Sequence, residues 1–183
     1  MLEIKFNGRG GQGVVVASQI LGFAFFKGGH YPQCYSVFGG ERRGAPVVSF
    51  LRVDEKKILL KCEIKHPGEL IYMDDSMVEP EEIRKLLLPG GRILINTRRP
   101  ADDFSELQGF DLGLVDALSI SSRVGLGGII NTTILSAYCR FTGTPPLSFL
   151  KEAISEMVPA RVTENLEAVE LAYESVMTRP PRS

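Results

Sequence analysis

The chain begins with Leu2-Glu3-Ile4-Lys5-Phe6, continues through Gly8-Arg9-Gly10-Gly11-Gln12-Gly13, and then becomes an apolar stretch that predicts a helix from Gln12 to Lys27. A strand, a tight glycine loop and a helix in this order are typical of α/β proteins. Glycines let backbone N–H groups turn toward one point, where the helix N-terminus adds a positive partial charge. The loop therefore predicts an anion or phosphate cradle, with a plain strand-to-helix turn as the alternative.

This loop has the GxGxxG spacing of dinucleotide-binding proteins, but it lacks the residues that complete such a site. A dinucleotide site needs an acidic residue about 20 positions further on to hold the ribose hydroxyls. No Asp or Glu occurs between Glu3 and Glu41. A P-loop needs Lys and then Ser or Thr after its last glycine, where this chain has Val14 and Val15. Neither ordinary nucleotide motif is complete.

Composition limits the classes of protein to which the chain can belong. Its 183 residues fit a single α/β domain, predicted over residues 1–178, with a disordered tail at 179–183. With 21 basic and 22 acidic residues, the chain lacks the surplus of positive charge that indicates binding to nucleic acid. Its three cysteines are too far apart for a zinc or iron–sulfur ligand set. No signal peptide or membrane-spanning run is apparent, so a cytoplasmic protein without a membrane partner is expected.

Strand and helix patterns alternate along the chain, which predicts a three-layer α/β domain with a mixed, mainly parallel sheet and flanking helices. Two β-rich runs, Pro46–Val53 and Lys57–Ile64, are separated by a short polar stretch and predict an attached β-hairpin. A helix is expected from Asn131, as its cap, to Phe141. The other predicted elements are strands at Glu69–Met73, Arg92–Asn96 and Phe110–Val115, and helices at Pro80–Leu88 and Thr163–Met177.

A second unusual loop places Glu41, Arg42 and Arg43 between Gly39-Gly40 and Gly44. Arginine can hold a carboxylate or phosphate through two hydrogen bonds, and a neighbouring glutamate can position a guanidinium. This loop predicts an anion or partner clamp, and a solvated surface turn is the alternative. Four other polar positions do not form the pattern of a catalytic nucleophile, a metal site or a catalytic triad. They are His30, His66, Asp74-Asp75 and Arg98-Arg99.

Three blocks of this sequence resemble one known family. The Gly8–Gly13 loop followed by Ala17 and Leu21, together with Gly40-Glu41-Arg42-Arg43-Gly44-Ala45-Pro46, closely resembles the gamma subunit of 2-oxoacid:ferredoxin oxidoreductases. Asn131–Ala137 is similar to a third block of that family. Two motifs in this order and at this separation are more specific than either motif alone.

The resemblance implies a subunit of an enzyme that converts a 2-oxoacid and coenzyme A to acyl-CoA, carbon dioxide and reduced ferredoxin. It implies alpha, beta and possibly delta partner subunits, which would hold thiamine diphosphate, magnesium and iron–sulfur clusters, while this chain binds no cofactor itself. The alternative is a free-standing nucleotide- or coenzyme-A-binding regulatory module. The residues expected to line the subunit junction or contact coenzyme A, with no catalytic residue among them, are Gly8, Arg9, Gly10, Gly11, Gln12, Gly13, Glu41, Arg42, Arg43, Gly44 and Asn131.

Phe38-Gly39-Gly40-Glu41 departs from the family, because many members have tyrosine, glycine, proline and glutamate there. Loss of the proline loosens the loop. Since pyruvate, 2-oxoglutarate, branched-chain and aryl-oxoacid enzymes share these blocks, the motifs do not identify the oxoacid.

Overall fold

The computed structural model describes residues 1–38 and 44–181, and of Phe38 only the backbone. Its centre is a seven-stranded sheet. The strands are β1 (Leu2–Arg9), β2 (Tyr31–Phe38), β3 (Pro46–Asp54), β4 (Glu69–Tyr72), β5 (Arg92–Asn96), β6 (Asp111–Val115) and β7 (Met177–Arg179). Their order in the sheet is β2-β3-β1-β4-β5-β6-β7. Strands β1, β4, β5 and β6 run parallel, whereas β3 and β7 pair antiparallel with β1 and β6.

Helices cover both faces of the sheet, so the domain has three layers. Alternation along β1 turns Ile4 and Phe6 toward one face, where they belong to a buried core that also contains residues of five helices. On the other face, β4, β5 and β6 pack against α2 and a 3-10 helix at Ala101–Leu107. The helices are α1 (Val14–Lys27), α2 (Pro80–Leu86), α3 (Ala117–Arg123), α4 (Asn131–Thr142), α5 (Leu147–Met157) and α6 (Val162–Ser175). The predicted α/β class and mixed sheet are confirmed.

The hairpin predicted from Pro46–Val53 and Lys57–Ile64 is wrong. Strand β3 is present, but β1 occupies one of its edges and β2 the other, so neither edge is left for a further strand. The segment Lys57–Ile64 instead runs as coil beside the sheet. The backbone N–H of Ile64 donates to the Tyr35 hydroxyl over 2.7 Å, and the Gln33 amide donates to the Leu60 carbonyl over 2.9 Å.

Two further details differ from expectation. Arg179, predicted to lie in a disordered tail, belongs to β7 and donates to the carbonyl oxygens of Ala101 and Phe104 over 2.8 and 3.1 Å. Asn131 is the first residue of α4 rather than its cap, because Ile130 occupies the cap position. No helix among the described residues is long and apolar enough to cross a lipid bilayer.

Candidate functional site

The glycine loop lies at the edge of the sheet where the parallel strands β1, β4, β5 and β6 all end. This carboxyl edge is where open α/β sheets usually bind ligands. Strand β1 continues to Arg9, and α1 begins at Val14, two residues later than the predicted start at Gln12. Gly11 and Gly13 adopt left-handed φ angles of 97° and 76°, which side chains other than glycine rarely allow.

Two glycines of the loop are also closely surrounded. A Cβ atom on Gly8 would lie 2.6 Å from Cγ2 of Val14 and 3.2 Å from Cβ of Met73. A Cβ atom on Gly13 would lie 2.9 Å from Nδ2 of Asn131. The first and third sequence blocks therefore meet at Gly13, although 118 positions separate these two residues in the chain.

Arg9 and Gln12 are held by an acidic residue that the motif analysis did not place in the site. Arg9 Nε donates to Asp74 Oδ2 over 2.9 Å, and Arg9 Nη2 donates to the Ser76 hydroxyl over 2.9 Å. Gln12 Oε1 accepts the backbone N–H of Arg9 over 2.7 Å. Asp74 therefore compensates the charge of Arg9, and these contacts fix the shape of the loop.

Asp74 is suited to this role because it remains ionised. Partial burial acts to raise the pKa of the Asp74 carboxyl, but hydrogen bonds from Ser76 and Arg9 outweigh burial and hold the pKa below its usual value. The same carboxylate accepts the backbone N–H of Ser76 over 3.0 Å and so caps the 3-10 helix Asp75–Met77. One side chain thus connects the ends of β1 and β4.

The second loop reaches the first through its last residues. Gly10 N donates to the Ala45 carbonyl over 2.8 Å, and Gly44 N donates to the Gly10 carbonyl over 3.1 Å. Arg9 Nη1 also lies 3.4 Å from the Gly44 carbonyl oxygen. Glu41, Arg42 and Arg43 lie outside the described residues. The structure therefore brings together Gly8–Gly13, Gly44 and Asn131.

The carboxyl edge continues past Asp74 to the ends of β5 and β6. Here Thr97 donates to Asp75 Oδ2 over 2.6 Å, and Arg98 Nε lies 3.2 Å from Asp116 Oδ2. Burial acts to raise the pKa of Asp116, but hydrogen bonds from Ser119 and the charge of Arg98 outweigh it and lower this pKa. A cavity of about 490 Å³ opens beside Thr97 and Arg98. Since Arg98 faces a carboxylate, it is not an isolated anion receptor.

The two histidines lie elsewhere. His30 packs edge-on against Phe25, and Nδ1 of His66 lies 3.3 Å from the Leu86 carbonyl oxygen. Within residues 1–38 and 44–181, no group of three or more His, Cys, Asp or Glu side chains is arranged to hold a metal ion. The described part of this edge therefore presents the N-terminus of α1 and paired charges.

Comparison with known proteins identifies the family of this chain. The family model described as pyruvate ferredoxin/flavodoxin oxidoreductase matches residues 3–175. The chain is 38% identical over 181 residues to the pyruvate/ketoisovalerate oxidoreductases common subunit gamma of Thermococcus kodakarensis, covering 97% of this chain and 98% of that one. It is 37% identical over 180 residues to pyruvate synthase subunit PorC of Methanocaldococcus jannaschii, covering 98% and 99%.

Among solved structures, the crystal structure of pyruvate oxidoreductase subunit PORC from Thermotoga maritima superposes with a TM-score of 0.83. That protein is 28% identical, and the match covers 97% of both chains. The full-length agreement in sequence and fold confirms the resemblance that the glycine and arginine motifs carry. The chain belongs to the pyruvate ferredoxin/flavodoxin oxidoreductase family.

Proposed function

We propose that this chain is the gamma subunit of a multi-subunit 2-oxoacid:ferredoxin oxidoreductase, which converts a 2-oxoacid and coenzyme A to acyl-CoA and carbon dioxide while reducing ferredoxin. The observation that carries this proposal is the match of residues 3–175 to one family model, with two curated gamma-type relatives aligned over almost their whole length. Thiamine diphosphate, magnesium and iron–sulfur clusters would belong to alpha, beta and possibly delta subunits.

Within that enzyme, the two joined loops at the carboxyl edge would face other subunits and the phosphates of coenzyme A. Arg9 supplies little free charge, because Asp74 pairs with it at 2.9 Å. Attraction for an anion would come from the N-terminus of α1 and from Arg42 and Arg43, which follow in sequence shortly after β2 and directly precede Gly44. The contacts between Gly10, Gly44 and Ala45 support this assignment, since they fix where the second loop ends.

Choice of the oxoacid would rest with another subunit. The Thermococcus kodakarensis relative is named as a subunit common to pyruvate and ketoisovalerate oxidoreductases, so a chain of this type can serve two substrates. Specificity is set by groups that contact the differing part of the substrate. A gamma subunit at the coenzyme A side would leave that choice unchanged.

Purification of the native complex through an affinity tag on this chain tests the proposal. We expect thiamine-dependent subunits to co-purify, and the preparation to reduce viologen only when a 2-oxoacid and coenzyme A are both present. The isolated chain should show no such activity. Recovery of the chain alone, together with micromolar binding of NAD or ATP by calorimetry, would instead establish the free-standing regulatory module.

A further inference from the structure

Strand β2 forms one edge of the sheet and offers a full side of unpaired backbone. It is eight residues long and pairs with β3 on its inner side only. Among residues 1–38 and 44–181, no backbone hydrogen bond reaches the outer side of Tyr31–Phe38. Such an edge templates pairing with another chain unless prolines, charges or bulges block it, and here Pro32 interrupts only the beginning.

Large apolar side chains are exposed beside this edge. Tyr31 and Val37 of β2 are 48% and 52% exposed, and Leu59 and Leu60 of the neighbouring coil are 80% and 44% exposed. We call these four residues, together with the outer backbone of β2, the β2-edge surface. Hydrogen bonds from Gln33 and Ile64 tie the coil to β2 and hold its leucines there. Apolar side chains exposed along one strand edge and the adjoining coil favour an interaction site there.

A recess of about 570 Å³ opens between β2 and the coil, next to Val37 and Lys61. Its floor is rigid. Arg52 is only 1% exposed, and its guanidinium donates to Glu3 over 2.8 Å and to Gln33 over 3.2 Å. The ring of Tyr35 on its wall stacks on Phe50 with centroids 4.8 Å apart. Recesses that are formed before binding accept the anchor side chains that dominate interface energies.

The charge around the recess indicates what kind of segment would fit. Between residues 55 and 65 the exposed coil carries Lys56, Lys57, Lys61 and Lys65, against Glu55 and Glu63. A partner segment with acidic residues beside its apolar ones would complement this surplus of positive charge. A second copy of the same basic coil would be repelled by it.

The β2-edge surface is also continuous with the carboxyl edge. Since β2 and β1 both pair antiparallel with β3, they run in the same direction, and Phe38 lies in register with Val47, which pairs with Gly8. The Phe38 end of the exposed side of β2 therefore lies level with the glycine loop. One partner could cover both surfaces.

We propose that the β2-edge surface docks an extended, acidic and apolar segment of another subunit of the same enzyme. The segment adds as an eighth strand beside β2 and inserts one side chain into the recess. This inference rests on the proposed function, because it needs partner subunits, but it assigns a surface that the glycine and arginine motifs do not include.

Two charge-changing substitutions test the inference in the tagged, co-expressed complex. Leu59→Asp and Lys61→Glu should each lower recovery of the partner subunits at least tenfold, while the thermal unfolding of the isolated chain stays unchanged because both side chains are exposed. Leu88→Asp is the matched control, since Leu88 is 47% exposed at the end of α2 and should leave recovery unchanged.

Thiol reactivity gives a readout that needs no substitution. Cys62 and Cys34 are both exposed residues beside the recess, and Cys139 is buried. The Cys34 thiol is the less reactive of the two exposed thiols, because burial of its side chain raises its pKa to about 11. Maleimide should therefore label Cys62 rapidly in the isolated chain and at least tenfold more slowly in the complex.

The outcomes separate this inference from the proposed function. Full recovery of Leu59→Asp with its partners, or rapid labelling of Cys62 in the complex, would overturn the docking surface while the proposed function stands. A homodimer of the isolated chain that Leu59→Asp dissolves would also overturn it, by showing that a second copy occupies the surface. Failure of the unmodified chain to bring down any partner would remove both conclusions.

Discussion

Arg9 carries the positive charge of the glycine loop, and the fold uses this charge to hold the loop in place. Its partner Asp74 comes 65 positions later and is brought to it by the parallel pairing of β1 with β4. An anion at the loop would thus meet a compensated guanidinium rather than a free one. We therefore expect an anion to be bound by the backbone N–H groups at the start of α1.

The Asp74 contact predicts a pH dependence of stability. Because the folded pKa of Asp74 lies below its usual 3.8, its contribution to the free energy of unfolding is complete well above that pH and is lost as the pH falls through the folded value. Asp74→Asn should lower the unfolding free energy at pH 7 by about 1 kcal/mol, a value reduced by the partial exposure of Arg9. Urea unfolding should show this difference shrinking toward pH 3.

Asp103→Asn serves as the control for this measurement. Asp103 pairs with Arg99 at 2.9 Å, but both side chains are about half exposed. Exposed pairs contribute little, so a change below about 0.5 kcal/mol is expected at either pH. If Asp74→Asn behaved in the same way, Asp74 would not be the residue that holds the loop.

Gly13 provides a second prediction at the level of single residues. Gly13→Ala should destabilise the fold by about 2 kcal/mol, because a left-handed alanine costs about 1 kcal/mol and its Cβ would press on Nδ2 of Asn131 at 2.9 Å. In an Asn131→Ala background the contact with Nδ2 is removed, while Cβ of residue 131 stays 3.3 Å away and the backbone cost remains, so the penalty should fall toward about 1 kcal/mol. Thermal or urea unfolding of the four proteins in this double-mutant cycle gives the coupling directly.

Gly109→Ala is the matched control, since a Cβ atom on Gly109 would meet nothing within 4 Å and its φ is not left-handed. Its unfolding free energy should stay within about 0.5 kcal/mol of the unmodified protein. A Gly13→Ala penalty that Asn131→Ala did not reduce would show that the two blocks touch without energetic coupling.

Among the secondary-structure elements, those with a strong local signal were predicted well. Arg92–Asn96 was predicted with the bounds that β5 has, because Pro89-Gly90-Gly91 marks its start and three buried apolar residues follow. The run Lys57–Ile64 has similar local character but forms no strand, since pairing with β1 and β2 leaves β3 no free edge. Strand pairing depends on the whole sheet, and neighbouring residues do not determine it.

In the candidate site too, local sequence motifs were predicted, whereas contacts between distant residues were not. Gly8–Gly13 and Asn131 were named from sequence blocks, and the structure joins them at Gly13. Asp74 belongs to none of these blocks, and no residue near it in sequence indicates that Arg9 is its partner. Helix α5 and strand β7 were not predicted, and β7 is only three residues long, too short to give a periodic signal.

The arginine loop carries a prediction at the level of this element. In the purified complex, Arg42→Ala and Arg43→Ala should each raise the KM for coenzyme A roughly tenfold, the size expected when one charge-assisted contact to a phosphate is lost. Arg84→Ala is a suitable control, because Arg84 lies on α2 and pairs with the exposed Glu106. An unchanged KM for coenzyme A in both loop variants would leave a purely structural role for this loop.

At the scale of the whole molecule, the chain presents a continuous surface from the carboxyl edge of the sheet to the outer side of β2. The helical layer opposite α2 packs around a buried core to which α1 and α4 contribute. Under the proposed function, this surface would shape the coenzyme A side of the enzyme while the chemistry occurs in other chains.

Because the proposed function assigns oxoacid binding to other subunits, it predicts how the gamma chain affects the choice between oxoacids. Specificity between two oxoacids is the ratio of their kcat/KM values, and a residue that contacts neither oxoacid changes both values by the same factor. Arg42→Ala and Arg43→Ala should therefore lower both kcat/KM values at subsaturating coenzyme A while leaving their ratio within about twofold, which corresponds to about 0.4 kcal/mol. Viologen reduction with pyruvate and 2-oxoisovalerate measures the ratio. A shift of tenfold or more in either variant would place this chain against the oxoacid, and the common-subunit role would then require a different structural basis.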